Sequence, residues 1–186
     1  MRKYSEDYET VTTVDDNGNE KTSVEYRGQY FEINTNEEDL QSFKRNALLL
    51  VVVITALQVA NGFFNNPGMY RFYVALPYVF AYLPIFYLAL GILRAPSEKR
   101  RYRRDEIGHS FGRIKTWSQV LLILLGINAL GEMIYLLFFS DGNMINLELL
   151  YLALTAAAVA ASFVIIRMQK QIEVLPLVDK SQPKIN

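Results

Sequence analysis

The chain has 186 residues, a formal net charge of zero and no cysteine. The lack of cysteine excludes disulfides, thiolate metal sites and thiol catalysis. The zero charge averages two unlike regions, because the first 43 residues carry eleven acidic and four basic side chains whereas the middle of the chain is basic. Local charges therefore say more about partners than the net charge does.

Residues 1–34 are predicted to form a small β-hairpin segment. Tyr8–Val14 and Lys21–Tyr26 are rich in Thr, Val and Tyr, and they flank the sequence DDNGN at residues 15–19. Asn-Gly between two β-prone runs predicts a hairpin turn. A third β-prone piece, Gln29–Ile33, can add a strand. The acidic turn is a poor calcium loop, because its glycine is misplaced and its twelfth position is Tyr26 rather than a glutamate.

Four apolar runs dominate residues 35–166. They cover roughly residues 46–64, 72–93, 117–139 and 147–166, and each reaches or approaches the ~20 residues that a membrane-spanning α-helix needs. Thr35 and Glu38 form a capping-box pattern, so the first helix is expected to begin near residue 36 with a cytoplasmic foot. The predicted fold is an all-α membrane protein: an antiparallel four-helix transmembrane bundle, with a small N-terminal cytoplasmic β-hairpin and a cytoplasmic tail of residues 167–186.

The distribution of lysine and arginine predicts the orientation. Eighteen of the 19 basic residues lie on the side of the apolar runs that carries both termini, and Arg71 alone lies at the other side. Basic residues in short flanking segments mark the cytoplasmic side. We therefore predict an integral protein of the plasma membrane with both termini in the cytoplasm.

The loop between the second and third runs carries a basic cluster. Its members are Lys99, Arg100, Arg101, Arg103 and Arg104. Cations at this position favour a role in topology and in contacts with anionic lipid head groups. Nucleic-acid binding is the alternative, but the cluster is short, lies next to the membrane and belongs to no recognisable binding module. No nucleic-acid partner is expected.

Glu132 is the leading candidate for an intramembrane polar site. Asn128 lies one turn before it and Tyr135 nearly one turn after it, so the three share a helix face. Polar groups inside the membrane are costly and suggest a function by default. Arg71 enters at the same level, so the first interpretation is an ion pair between Arg71 and Glu132 that fixes the helix register.

Two alternatives to that ion pair remain open at this stage. In one, Glu132 and Asn128 form a proton- or cation-coupled site with Gln58 or Asn61. In the other, Glu132 lies close enough to the membrane surface to be solvated. Glu148 is explained more simply, because an acidic side chain is favourable in the first turn of a helix.

The second and fourth runs carry features of helix packing. Pro77 and Pro84 each remove a backbone hydrogen bond, so a kink is expected there. Ala153, Ala157 and Ala161 form a small-residue stripe that allows close helix approach. This stripe predicts an interface, either inside the bundle or with a second copy or another membrane protein.

The sequence lacks the usual apparatus of an enzyme. His109 is the only histidine, and no Gly-rich phosphate loop follows a strand, so no catalytic, cofactor-binding or metal-binding residue is predicted. The favoured function is a non-enzymatic accessory or regulatory subunit of a membrane complex. The alternative is a small oligomeric transporter or channel that uses Glu132 and Asn128. A lipid-binding or lipid-modifying role rests only on the basic cluster.

Overall fold

The computed structural model describes residues 4–14, 20–98 and 101–177. Within these residues the helices are α1 (Glu37–Gly62), α2 (Phe72–Phe80), α3 (Tyr82–Leu93), α4 (Arg104–His109), α5 (Phe111–Phe138) and α6 (Ile145–Gln169). The strands are β1 (Tyr8–Val14), β2 (Glu20–Tyr26), β3 (Tyr30–Ile33), β4 (Tyr102–Arg103) and β5 (Val174–Pro176). Short 3₁₀ helices cover Ser5–Asp7 and Pro67–Tyr70.

The four apolar runs are all helical, as predicted. The helices α1, α2 with α3, α5 and α6 are long and apolar enough to cross a membrane. Helix α5 packs against α2, α3 and α6, while α1 packs against α3 and α6. We call the end with the connections 63–71 and 139–144 the turn end, and the opposite end, where α1 begins and α6 finishes, the terminal end.

The bundle has an apolar interior and an apolar exterior. Ile54, Leu121 and Leu125 are fully buried in its core, whereas Ile123 and Leu137 on α5 are more than half exposed. A soluble protein rarely leaves such a continuous apolar surface in water. The outer surface is therefore what lipid-facing helices require, which agrees with the predicted membrane spans.

The second span is interrupted between α2 and α3. Because Pro84 has no backbone N–H, it cannot donate to the carbonyl of Phe80, and α2 ends at that residue. Pro77 likewise leaves the carbonyl of Tyr73 without its usual helical donor. Gly131 of α5 permits close packing against this carbonyl, since a Cβ at position 131 would lie 3.0 Å from the Tyr73 oxygen.

The terminal end carries two small antiparallel sheets. β1 and β2 pair along their whole length, from Tyr8 opposite Tyr26 to Val14 opposite Glu20, and form the predicted hairpin. Its predicted turn, residues 15–19, lies outside the described residues. The third β-prone piece forms β3, which is the central strand between β4 and β5 instead of an extension of the hairpin. Three distant parts of the chain therefore meet at the terminal end.

The start of α1 differs from the predicted capping box. The N-cap residue is Asn36, and no side chain caps the helix. Thr35 therefore lies one residue too early to serve as the cap, and its predicted reciprocal bond with Glu38 is wrong. The predicted foot of the first helix is present as helix, because α1 begins at Glu37, well before its apolar part.

The hairpin is fastened to α4 through tyrosine hydroxyl groups. Tyr26 accepts a hydrogen bond from the backbone N–H of Arg104 at 3.0 Å and donates one to the carbonyl of Gln29 at 2.8 Å. Burial raises the pKa of Tyr26, so its hydroxyl stays protonated and able to donate. Tyr8 donates to Asp105 Oδ2 at 3.0 Å.

The basic cluster faces the hairpin in part. The Arg103 guanidinium lies 5.6 Å from the centre of the Tyr26 ring, and Arg104 lies 3.9 Å from Asp7. Arg101 is exposed. Lys99 and Arg100 lie outside the described residues.

Candidate functional site

A group of buried polar side chains occupies the turn-end half of the bundle. We call it the turn-end cluster, and each member is at most 1 % exposed. Its members are Gln58, Asn61, Asn66, Asn128, Glu132, Glu148, Tyr151 and Thr155. They come from α1, the connection after α1, α5 and α6, so the cluster exists only once the bundle has assembled.

Asn128 is the hub of the cluster. Its amide donates to the backbone carbonyl of Val74 at 2.8 Å, and its Oδ1 accepts from the Tyr151 hydroxyl at 3.1 Å and from Thr155 Oγ1 at 3.4 Å. Asn61 Nδ2 in turn donates to Thr155 Oγ1 at 3.0 Å. One amide thus connects α2, α5 and α6, and the Thr155 hydroxyl extends the connection to α1.

Glu148 holds the turn end closed. One of its carboxylate oxygens accepts from Asn66 Nδ2 at 2.6 Å, and the other accepts from the backbone N–H of Gly68 at 2.9 Å. These two bonds attach the connection between α1 and α2 to the first turn of α6. The sequence analysis explained Glu148 only as an acidic side chain in the first turn of a helix. That explanation is incomplete, because Glu148 is buried and accepts hydrogen bonds from two specific donors.

Glu132 faces the same connection from α5. Both of its carboxyl oxygens are buried and have no hydrogen-bond partner among the described residues. A Cβ at position 68 would clash with Glu132 Oε2 and would lie 2.8 Å from Oε1. Gly68 therefore lies against the carboxyl groups of both Glu132 and Glu148.

The expected ion pair between Arg71 and Glu132 is not formed. The Arg71 side chain is exposed, and its guanidinium lies 5.7 Å from the centre of the Tyr135 ring and 5.6 Å from that of Phe139. Arg71 begins α2 on the outside of the bundle, while Glu132 points into it. The Arg71 guanidinium is attracted by these aromatic ring faces, and the Glu132 carboxyl group is left without this cation. The alternative of a solvated Glu132 also fails, because this residue is 0 % exposed.

The carboxyl groups of Glu132 and Glu148 approach Gly68 from α5 and α6. Burying a carboxyl group without a hydrogen-bond partner costs free energy, so Glu132 is the member of the turn-end cluster that the described residues satisfy least. Among the residues that the structure describes, no three His, Cys, Asp or Glu side chains converge as a metal site requires.

The cluster does not continue to the terminal end. Beneath it, Ile54, Leu121, Leu125 and Ala158 are all fully buried and together form an apolar layer. The next buried polar contact is beyond this layer, where Ser162 Oγ donates to the carbonyl of Ser118 at 3.4 Å. The polar groups therefore form a closed site at one end and not a continuous polar path.

Two of the three residues of the small-residue stripe of α6 face away from the bundle core. Ala153 and Ala157 are exposed, whereas Ala161 is partly buried and packs against the core. The buried face of α6 consists mainly of Tyr151, Thr155 and further residues at helical spacing. Ala153 and Ala157 are therefore available to a partner, while Ala161 serves the packing of this chain.

Sequence reasoning found part of the cluster. It singled out Glu132, Asn128, Gln58 and Asn61, and the structure brings all four into one region. It missed Asn66, Tyr151 and Thr155. The spacing of Glu148, Tyr151 and Thr155, three and then four residues apart on one helix face, was the available signal. Tyr135 is buried on the same face of α5 but lies under Arg71.

Comparison with protein-family models, with curated proteins and with solved structures finds no match to this chain.

Proposed function

We propose that this chain is a small integral membrane protein that serves as a non-enzymatic accessory or regulatory subunit. The observation that carries the proposal is the outward-facing alanine stripe of α6, with Ala153 and Ala157 exposed. Small residues let helix backbones approach closely, and in lipid such approach is a principal source of helix association. A helix that presents this surface to lipid alone would gain nothing from it.

The terminal end supports the same proposal. We place it in the cytoplasm, because 18 of the 19 basic residues lie on that side. There the hairpin and the β4-β3-β5 sheet are built from the N-terminal segment, the central loop and the C-terminal segment. Such a folded surface is suited to contact with another protein on the same side of the membrane.

The absence of cysteine provides a direct test by crosslinking. We expect Ala157→Cys to form a disulfide with a cysteine of a second protein when native membranes are oxidised. Where that protein has no cysteine in reach, a bifunctional crosslinking reagent should join the two proteins instead. Ala156→Cys is the matched control, since residue 156 is also exposed but is turned by about 100° around the helix. The adduct is identified by its mass.

The outcomes of this crosslinking separate the proposals. An adduct of Ala157→Cys with a different protein, absent for Ala156→Cys, supports the accessory function. An adduct with a second copy only shows a homo-oligomer and contradicts the accessory function. Equal crosslinking at both positions would mean that the stripe is not an interface.

A second candidate function, a small oligomeric transporter or channel, is favoured by the turn-end cluster. Six of its buried nitrogen and oxygen atoms, including both carboxyl oxygens of Glu132, lack partners among the described residues. Buried polar atoms are nearly always paired in native proteins. A proton or a small polar ligand would supply hydrogen-bond partners for these atoms, and Asn128 would line the same site.

Proton flux into vesicles distinguishes the two functions. We expect vesicles with the wild-type chain and vesicles with Glu132→Gln to take up protons no faster than empty vesicles, because the apolar layer closes the path. The measurement uses a trapped pH-sensitive dye and a potassium diffusion potential. Flux in the wild type that Glu132→Gln abolishes, and that Asp141→Asn at the exposed turn preserves, would establish transport and overturn the accessory function.

A further inference from the structure

A groove lies at the terminal end between the N-terminal segment and the start of α5. Its volume is about 1150 Å³, and it is bounded by Tyr8 on one side and by residues of α4 and α5 on the other. The groove is separate from the turn-end cluster and from the alanine stripe. Its chemistry is set by Asp105, Arg113, Lys115 and Trp117.

The charges of the groove favour an anion. Arg113 and Lys115 form no salt bridge with a carboxylate of the described residues, and Lys115 is exposed. Asp105 is the only acidic side chain among the described residues that line the groove, and one of its oxygens accepts the hydrogen bond from Tyr8. Two cations against one carboxylate leave a positive charge, which suits a single phosphate group.

The surface below the groove is apolar and faces outward. Thr116 lines the groove, and Ile123, Ile127 and Leu130 follow it on the same face of α5, each between 46 % and 60 % exposed. The spacing of seven, four and three residues keeps them on one side of the helix. An acyl chain attached to a phosphate in the groove would lie along this stripe.

Trp117 marks the level of the membrane surface. Its ring stacks on that of Tyr87 with the ring centres 4.6 Å apart and an angle of 15° between the planes. Tryptophan and tyrosine concentrate where lipid head groups meet the hydrocarbon region. The cations of the groove, at residues 113 and 115, therefore lie at head-group depth.

We propose that the groove binds an anionic phospholipid with a single phosphate, whose phosphate contacts Arg113 and Lys115 and whose acyl chains run along α5. The proposal rests on the membrane placement of the proposed function but not on its accessory role. The site differs from the basic cluster, because Arg103 and Arg104 face the hairpin and do not line the groove.

The test uses Trp117, the single tryptophan of the chain, as a reporter inside the groove. The full chain is reconstituted in phosphatidylcholine vesicles that contain a minor fraction of phosphatidylglycerol with brominated acyl chains, which quench tryptophan fluorescence. Quenching beyond that given by the same fraction of brominated phosphatidylcholine is expected. Arg113→Gln and Lys115→Gln should each lower the relative affinity for phosphatidylglycerol by roughly fivefold.

A charge-matched variant shows whether the effect is local. Arg45→Gln with Lys170→Gln removes two exposed cations of the same end that belong neither to the groove nor to the basic cluster and should retain the excess quenching, whereas Arg113→Gln with Lys115→Gln should lose it. If both double variants lost the excess quenching equally, the effect would be due to surface charge, and the proposed phospholipid site would be wrong. Equal quenching by the two brominated lipids in the wild type would also overturn it, whatever the variants do.

A soluble competitor distinguishes a lipid from a free phosphate compound. Glycerol phosphate carries a glycerol-linked phosphate without acyl chains and should leave the quenching unchanged. Relief of the quenching by glycerol phosphate would show that the site takes soluble phosphate compounds, and the lipid would then be the wrong ligand. Circular dichroism of each variant confirms that its helical content matches the wild type.

Discussion

Replacing Glu148 by alanine is expected to lower the free energy of unfolding by about 3 kcal/mol. The substitution removes the acceptor of two buried hydrogen bonds, from Asn66 Nδ2 and from the backbone N–H of Gly68. Both donors then remain buried without a partner, because Asn66 and Gly68 are inside the protein. The connection between α1 and α2 should detach from α6. Reversible unfolding in mixed detergent micelles measures the loss.

Two further variants make that experiment specific. Glu148→Gln keeps one acceptor oxygen and should lose about half as much stability. Asp141→Ala changes an exposed acidic residue of the neighbouring connection and should alter stability by less than about 0.5 kcal/mol. Hydrogen exchange at residues 66–70 should quicken only in the Glu148 variants. A loss as small as that of Asp141→Ala would show that the two bonds do not hold the turn end.

The helices themselves were predictable because each is a local property of the sequence. An apolar run of about 20 residues has few alternatives in lipid, since every backbone group must be paired within the segment. Thr-, Val- and Tyr-rich runs around Asn-Gly predicted β1 and β2 for a similar local reason. Thr35 was predicted to cap α1, but the N-cap residue is Asn36. The prediction was wrong by one residue because several side chains at a helix end compete for the same backbone donors.

The pairing of β3 was not predictable in the same way. Tyr30–Ile33 is β-prone by composition, but its neighbours β4 and β5 lie about 70 and 140 residues later in the chain. They are brought to it by the helices that end at the terminal end. Composition gives the tendency to form a strand, and tertiary packing selects the partner.

The polar partners inside the bundle depend on how far each helix is rotated about its own axis. The sequence placed Arg71 and Glu132 at the same level, which was sufficient for an ion pair to be expected. The rotation of α2 instead directs Arg71 over the rings of Tyr135 and Phe139, and the rotation of α6 directs Glu148 inward. The depth of a residue along the helix axis can be predicted from the sequence. The rotation of each helix about its axis is set by the packing of all four helices.

Asn128→Ala is expected to lower stability by about 1 kcal/mol, since two hydrogen bonds disappear and such bonds in membrane proteins average roughly 0.6 kcal/mol each. The hydroxyl of Tyr151 and the carbonyl of Val74 lose this partner together, whereas the Thr155 hydroxyl keeps its shorter bond of 2.9 Å to the carbonyl of Tyr151. Gln119→Ala, on the exposed face of the same helix, is the control and should have little effect. The unfolding assay in mixed micelles compares the two variants.

A double-mutant cycle decides whether Asn128 acts as a hub or only fills space. Tyr151→Phe removes the hydroxyl that donates to Asn128 at 3.1 Å, so it should destabilise the wild type. In the Asn128→Ala background the same change removes a buried hydroxyl that no longer has this acceptor, and it should then cost nothing or stabilise. Strict additivity of the two substitutions would contradict the hub. A clear coupling would mean that the turn-end cluster fixes the relative positions of α2, α5 and α6 through one amide group.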